Sequence, residues 1–153
     1  MSSTDIFSSV GTVVSVSATA PATFDAAGFA ALTYSLCGEL SELPTYGSEA
    51  ALATHIPLRT GIVAKRRGSV NYGSITLPMA YSDTDAGATI LRTAGDALPG
   101  VNSLISFRVT LKNGDIQYFQ GQVMSFRTNV GNADAITMCE VAVEITSVIV
   151  KVG

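Results

Sequence analysis

A mainly β fold is predicted for this chain, a β-sandwich or partly closed barrel with one α-helix packed on it. Three observations predict it. Two long alternating runs, residues 103–111 and 116–126, flank the turn Lys112-Asn113-Gly114-Asp115. A third alternating run, 135–146, follows Gly131-Asn132. A single convincing helical stripe lies mid-chain, with no βαβ alternation around it and no internal repeat. Asn-Gly supplies the positive backbone angles of a tight hairpin turn. The two hairpin runs are about twice the usual strand length of ~5–6 residues. Long strands carrying so little charge aggregate unless something covers them.

Taken in order, residues 1–11 read as a flexible, Ser-rich arm and 12–153 as one domain. Residues 12–17 alternate as a short strand, and 21–28 read as a loop. Residues 29–41 hold a strand ending in Gly38-Glu39-Leu40, although Phe29-Ala30-Ala31-Leu32 also fits a helical turn. The stretch 43–59 has no clean period and contains Pro44, Gly47, Pro57 and the only histidine, His55. Structureless stretches of this length are usually functional or contact loops. Residues 60–65 and 72–81 read as strands, with Lys65-Arg66-Arg67-Gly68 between them. In the second, Ile75, Leu77, Met79 and Tyr81 share a face. Pro78 cannot donate to a ladder, which places this strand at an edge or a bend. The helix is capped by Ser82 or Asp83, with Asp85 in its first turn to meet the positive helix end. Ala86, Ile90, Leu91 and Ala94 form its apolar stripe, and Gly95 offers a stop. In the long hairpin, Ile105, Phe107, Val109 and Leu111 point to the core, and Ser106, Arg108 and Thr110 point away.

Apolar residues make up 47% of the 153 residues and charged residues 14%. The charged share is below the ~25% usual for soluble domains, which suits a subunit whose surface is buried in an assembly. A net charge of −3 argues against a dedicated nucleic-acid binder, which needs a clustered basic face. Cys37 and Cys139 have no metal-ligand spacing and read as buried free thiols, with a disulfide left open. The N-terminus lacks the pattern of a signal peptide, and no run approaches the ~20 apolar residues of a membrane span. A soluble protein made in the cytosol is expected.

Catalysis finds few footholds. His55 has no carboxylate or nucleophile beside it and reads as a contact residue. No nucleophile elbow, Walker loop, zinc-binding helix or dinucleotide fingerprint occurs. Asp83-Thr84-Asp85 lacks the glycine and distal glutamate of a calcium loop. Neither an enzyme nor a cofactor or metal is expected. Lys65, Arg66 and Arg67 read either as a solvated turn or as salt-bridge partners for a neighbouring subunit around Glu39 and Glu42. Phosphate contact ranks third, since no aromatics interleave.

Three passages resemble the major tail tube proteins of long, flexible-tailed (non-contractile) bacteriophages. Ser35-Leu36-Cys37-Gly38-Glu39-Leu40 is similar to an apolar-Gly-Glu-apolar strand that precedes a long loop there. Residues 73–81, running into Asp83-Thr84-Asp85-Ala86-Gly87-Ala88-Thr89-Ile90-Leu91, resemble that family's strand and Asp-x-Gly-x-x-x-Leu helix. Phe107-Arg108-Val109-Thr110-Leu111-Lys112-Asn113-Gly114, followed by Phe119-Gln120-Gly121-Gln122-Val123, resembles its long hairpin. The likeness spans about 33–146. It departs at Ala86, where relatives often carry Pro, and the Ala-rich segment 18–31 has no counterpart.

The resemblance implies a structural virion protein of the tail: hexameric rings of this subunit, stacked into a hollow tube for DNA delivery. DNA and, before it, a tape-measure protein would occupy the lumen. A tail terminator and baseplate or tip proteins would bound the tube, assembled in the host bacterial cytoplasm. Loop residues Tyr46, Leu52, His55 and Ile56, with Lys65, Arg66, Arg67, Glu39 and Glu42, are then expected at subunit or ring contacts. Ser106, Arg108 and Thr110 are expected to face the lumen or a neighbour. A head–tail connector or tail terminator ring is an alternative, and a small-ligand-binding β-barrel a further one.

Overall fold

The computed structural model describes residues 6–99 and 103–153. Its elements are β1 (Val13–Ser17), α1 (Ala26–Ala30), β2 (Ser35–Leu36), β3 (Glu49–His55), β4 (Ala64–Asn71), β5 (Ser74–Ala80), α2 (Ala86–Gly95), β6 (Leu104–Thr110), β7 (Ile116–Asn129), β8 (Met138–Ile145) and β9 (Val150–Val152). Seven strands form one sheet along the path β2-β1-β6-β7-β8-β5, with β9 beside β7, and β3 and β4 form a separate two-stranded ribbon. The mainly β class holds. The sheet is open, since its path ends at β2 and β5 and does not close into a barrel.

β7 organises the sheet. On one edge it pairs with β6 from Ile116 to Gln122. On the other it pairs first with β9, over Ile116 to Tyr118, and then with β8, from Gly121 to Asn129. The alternation read from sequence holds through Val123: Phe119, Gly121 and Val123 are buried against Ile105, Phe107 and Val109 of β6 and Val143 of β8. Phe107 and Phe119 stack at 5.0 Å with no exposed surface. At Met124 the register shifts, Val123 facing Val143 while Ser125 faces Ala142. This bulge adds one residue and reverses the parity of everything after it. Met124 stands exposed, and Phe126, not Ser125 or Arg127, packs on the core.

β5 is the terminal strand, as Pro78 requires. Ile75, Leu77 and Met79 are buried, while Tyr81 is exposed. The outer edge near Pro78 is covered by residues 39–41: Ser41 N–H donates to Pro78 O at 2.9 Å and Ala80 N–H to Glu39 O at 3.0 Å. α2 is roofed onto the core by Gly87, Ala88, Leu91 and Ala94. The expected stripe therefore shifts. Ala86 is exposed and Ile90 half-buried, because Gly87 is the residue that lets the helix approach the segment at Leu36 and Cys37. The helix begins two residues beyond Asp83, the nearer of the two expected caps, at Asp85, whose side chain accepts from Gly38 N–H at 3.0 Å instead of capping its own helix.

Three local readings are corrected. Residues 29–41 are not one strand: Asp25 caps the short helix α1 by accepting from Gly28 N–H at 2.7 Å, so Phe29 and Ala30 are helical, as the alternative had it; Ser35–Leu36 form a two-residue strand, and Leu40 makes an isolated bridge to Met79. The 112–115 turn uses one positive angle, at Gly114 (φ 96°). Asn113 instead bonds Asp115 through its side chain, so the connection is a type I turn with a glycine bulge. Residues 60–63 are turn and irregular chain and only 64–65 are strand, and the basic triplet lies inside β4, where Thr54, Ala53 and Leu52 face Lys65, Arg66 and Arg67.

Deleting Met124 should turn Phe126 outward and Arg127 inward, at a cost of roughly 3 kcal/mol or more; urea denaturation measures it. Gly87→Ala should cost about 1–3 kcal/mol by overpacking, since a Cβ there lies 2.6 Å from Cys37 Sγ and from Leu36 O. Unchanged stability in either variant contradicts the packing described.

Candidate assembly interface

The ribbon β3–β4 leaves the body at a narrow root. Tyr46 and Tyr72 pack against the core on its two sides. The Tyr46 ring lies 5.4 Å from that of Phe119, and its hydroxyl donates to Gln117 Oε1 at 2.5 Å. Gly73, at φ 79°, turns the returning chain into β5. Beyond the root the ribbon extends about 20 Å at ~3.3 Å per residue. Nearly every residue of it is exposed, on both faces. Leu52, Ile56 and Ile62 are 67%, 60% and 72% exposed. An isolated two-stranded ribbon is marginal in water, and clustered exposed apolar groups mark a contact surface.

The stretch expected to be a structureless loop is thus half of a hairpin. Its irregular pattern has a physical cause: a strand buried on neither face needs no alternation, and a bulge between Ala50 and Leu52 breaks what period there is. Leu52, His55, Ile56, Lys65, Arg66 and Arg67 all sit exposed on this hairpin. Tyr46 does not; it belongs to the root. Glu39 and Glu42 lie apart from it, exposed beside the covered edge of β5.

Ser106, Arg108 and Thr110 lie on the sheet face opposite the core, as alternation requires. That face is partly covered in the chain itself. Ser106 has no exposed surface and donates to Thr19 O at 2.8 Å. Arg108 is half-buried, its guanidinium carbon 4.7 Å above the Tyr34 ring. Its Nε is buried without a hydrogen-bond partner, a cost the cation–π contact offsets. Thr110 is half-buried and pairs with Val13. Around them Phe29 of α1 stacks on Tyr118 at 5.6 Å, and Tyr34 lies 6.3 Å from Tyr118. This aromatic layer was not legible in sequence, because strand periodicity says nothing about which later segment folds over the second face.

The sheet leaves margins unpaired. β6 covers β7 only to Gln122, so from Met124 to Asn129 that edge has no partner strand among the described residues. The outer edge of β9 is likewise unpaired among them. An apolar cavity of about 250 Å³ lies between α2 and the start of β6, lined by Ile90, Ala94, Leu104 and Ile105 among others. Among the described residues no helix is long and apolar enough to cross a membrane, and no cluster of potential metal ligands occurs.

The chain resembles several solved structures in fold. It superposes on a chain from the baseplate of the anti-feeding prophage with a TM-score of 0.68 at 7% identity, covering 93% of this chain and 92% of that one. It superposes on a chain from the sheath/tube terminator structure of an extracellular contractile injection system (PVC) with a TM-score of 0.65 at 10% identity, covering 97% of each. For the SPP1 tail tube the TM-score is 0.57 at 17% identity, over 93% of this chain and 76% of that one. The fold is that of tail tube proteins. No protein-family model matches the chain, and no curated protein matches its sequence.

Both thiols are free and buried, which settles the disulfide left open by sequence. Burial, and then the neighbouring Asp85 carboxylate, push the Cys37 thiol up to about 12. Burial also raises Cys139. Tyr34 is pushed up to about 12, mainly by burial and then by Tyr118, against an opposing pull from Arg108. A raised value means the folded state holds the proton longer than the unfolded chain does. The contribution of Tyr34 is therefore complete below pH ~10 and is lost as pH rises toward ~12. Tyr34→Phe should flatten part of the alkaline loss of stability, followed by thermal melts across that range. Native Cys37 should resist iodoacetamide at neutral pH and react on unfolding; rapid labelling of the folded protein contradicts its placement.

Proposed function

We propose that this chain is a structural subunit of a tail or injection tube, which closes into rings with copies of itself and stacks those rings into a hollow conduit. The observation that carries this reading is the pairing of a tail tube fold over nearly the whole chain with a hairpin exposed on both faces. Unpaired margins on β7 and β9 suit ring closure, which removes edges that otherwise template aggregation. A head-to-tail stacking contact does not close on itself and so propagates. The hairpin, with Leu52, His55, Ile56, Lys65, Arg66 and Arg67, is the element suited to reach the next ring. Arg108 and Thr110, half-buried, belong to the face nearest a lumen in this reading.

The finer assignment follows the resemblance: six subunits per ring, a non-contractile phage tail, and a lumen that passes a tape-measure protein and then DNA. Terminator and baseplate or tip proteins bound the tube, and assembly takes place in the host bacterial cytoplasm. A body richer in acids than bases suits a conduit that must not retain a phosphate backbone. A second reading, a terminator or baseplate ring that does not stack indefinitely, is favoured by one observation. The superpositions at TM-scores of 0.68 and 0.65 come from a baseplate and a terminator structure.

Negative-stain microscopy of concentrated purified protein separates them. Polymers of regular width are expected; isolated rings support the second reading, and monomers overturn both. Replacing residues 49–71 with a short Gly-Ser linker, which keeps Tyr46 and Tyr72 at the root, should leave the circular dichroism and melting of the body nearly unchanged while abolishing polymers. Tubes formed by that variant exclude the hairpin as the stacking element.

A further inference from the structure

The architecture divides the charge of the chain. The hairpin with its turn, 49–71, holds four of the nine basic residues (Arg59, Lys65, Arg66 and Arg67) and one of the twelve acidic ones, Glu49. It therefore carries +3, which leaves −6 on the rest of a chain whose net charge is −3. All five of these side chains are exposed. A positive projection on a negative body favours head-to-tail contact, since two hairpins meeting each other would oppose like charges.

The body also gathers acids that the sequence keeps apart. Hydrogen bonds from Ser41 N–H to Pro78 O and from Ala80 N–H to Glu39 O lay residues 39–41 along the end of β5. The bond from Gly38 N–H to Asp85 draws the same segment to the start of α2. Glu39, Glu42 and Asp83 stand exposed along this ledge, while Asp85 is half-buried and committed to Gly38. The nearby cation Arg92 is engaged with the Tyr81 hydroxyl at 3.2 Å.

We propose that the occupant of the hairpin surface is a second copy of this chain, which receives Lys65, Arg66 and Arg67 on the ledge of Glu39, Glu42 and Asp83. Opposite charge sets the direction and register of the contact, and Leu52, Ile56 and Ile62 supply the apolar area that holds it. This rests on the tube-subunit reading and goes beyond it by naming both halves of one contact.

The test uses the full chain and two charge-reversed variants. One carries Lys65→Glu, Arg66→Glu and Arg67→Glu; the other carries Glu39→Lys, Glu42→Lys and Asp83→Lys. Circular dichroism first establishes that each folds as wild type does, as exposed substitutions should. Sedimentation velocity and microscopy then follow polymer. Wild type should lose polymer at least about tenfold between roughly 0.05 and 0.5 M salt, as screening shortens the reach of charge. Each variant alone should stop at rings, and an equimolar mixture should regain polymer, because each then offers the sign the other needs. Polymerisation of either variant alone, or no recovery in the mixture, overturns the contact and leaves the tube reading standing. Wild type that stacks without salt dependence also overturns it. Binding of labelled duplex DNA by wild type, lost in the hairpin variant while stacking persists, assigns the basic strand to phosphate and overturns the inference. A wild-type chain that stays monomeric throughout overturns the tube reading itself.

Discussion

The backbone of β7 is the constraint on which the rest of the structure depends. Along its 14 residues it supplies hydrogen bonds to three other strands. β1 reaches the sheet only through β6, and β5 only through β8. The bulge at Met124 lets one strand serve both halves. It turns the inward parity from odd to even numbers, so that Phe119 and Phe126 face the same core. A strand of this length without the bulge would drive Arg127 into apolar surroundings and leave Phe126 in water, against the cost of burying an unpaired charge.

That same length leaves part of β7 without a partner strand on one edge among the described residues. β6 pairs with only seven residues of β7, so among the described residues the far half of β7 has a partner strand on one edge only. The ribbon β3–β4 removes another 15 strand residues from the core and pairs them only with each other. Both features leave polar backbone and apolar side chains facing outward, and both are satisfied by further protein more cheaply than by water. The proportion of charged residues is low, 14% of the chain. What charge exists is sorted, basic on the projection and acidic on the body, and sorted charge gives a contact direction where apolar burial alone gives none.

The second face of the sheet shows how an outward-pointing residue becomes structural. Ser106 and Arg108 point away from the main core, yet Ser106 is tied to Thr19 O and Arg108 lies over Tyr34, while Phe29 of α1 stacks on Tyr118 beside them. Arg108 lies over an aromatic face, with its Nε lacking a hydrogen-bond partner.

Much of this was present in the sequence itself. The alternation of Ile105, Phe107 and Val109, of Ile75, Leu77 and Met79, and the glycine at 114 determined the strands, their inward faces and the principal turn, because burial on one face imposes a period of two and a tight turn needs a positive angle. Pro78 determined an edge, because it has no N–H to give. Other features were decided only by tertiary structure. The bulge at Met124, the hairpin character of 49–71, the bond that ties Ser106 to Thr19, and the laying of residues 39–41 along the end of β5 depend on which segments pack together. Local pattern records whether a residue is buried, and it is silent about what buries it.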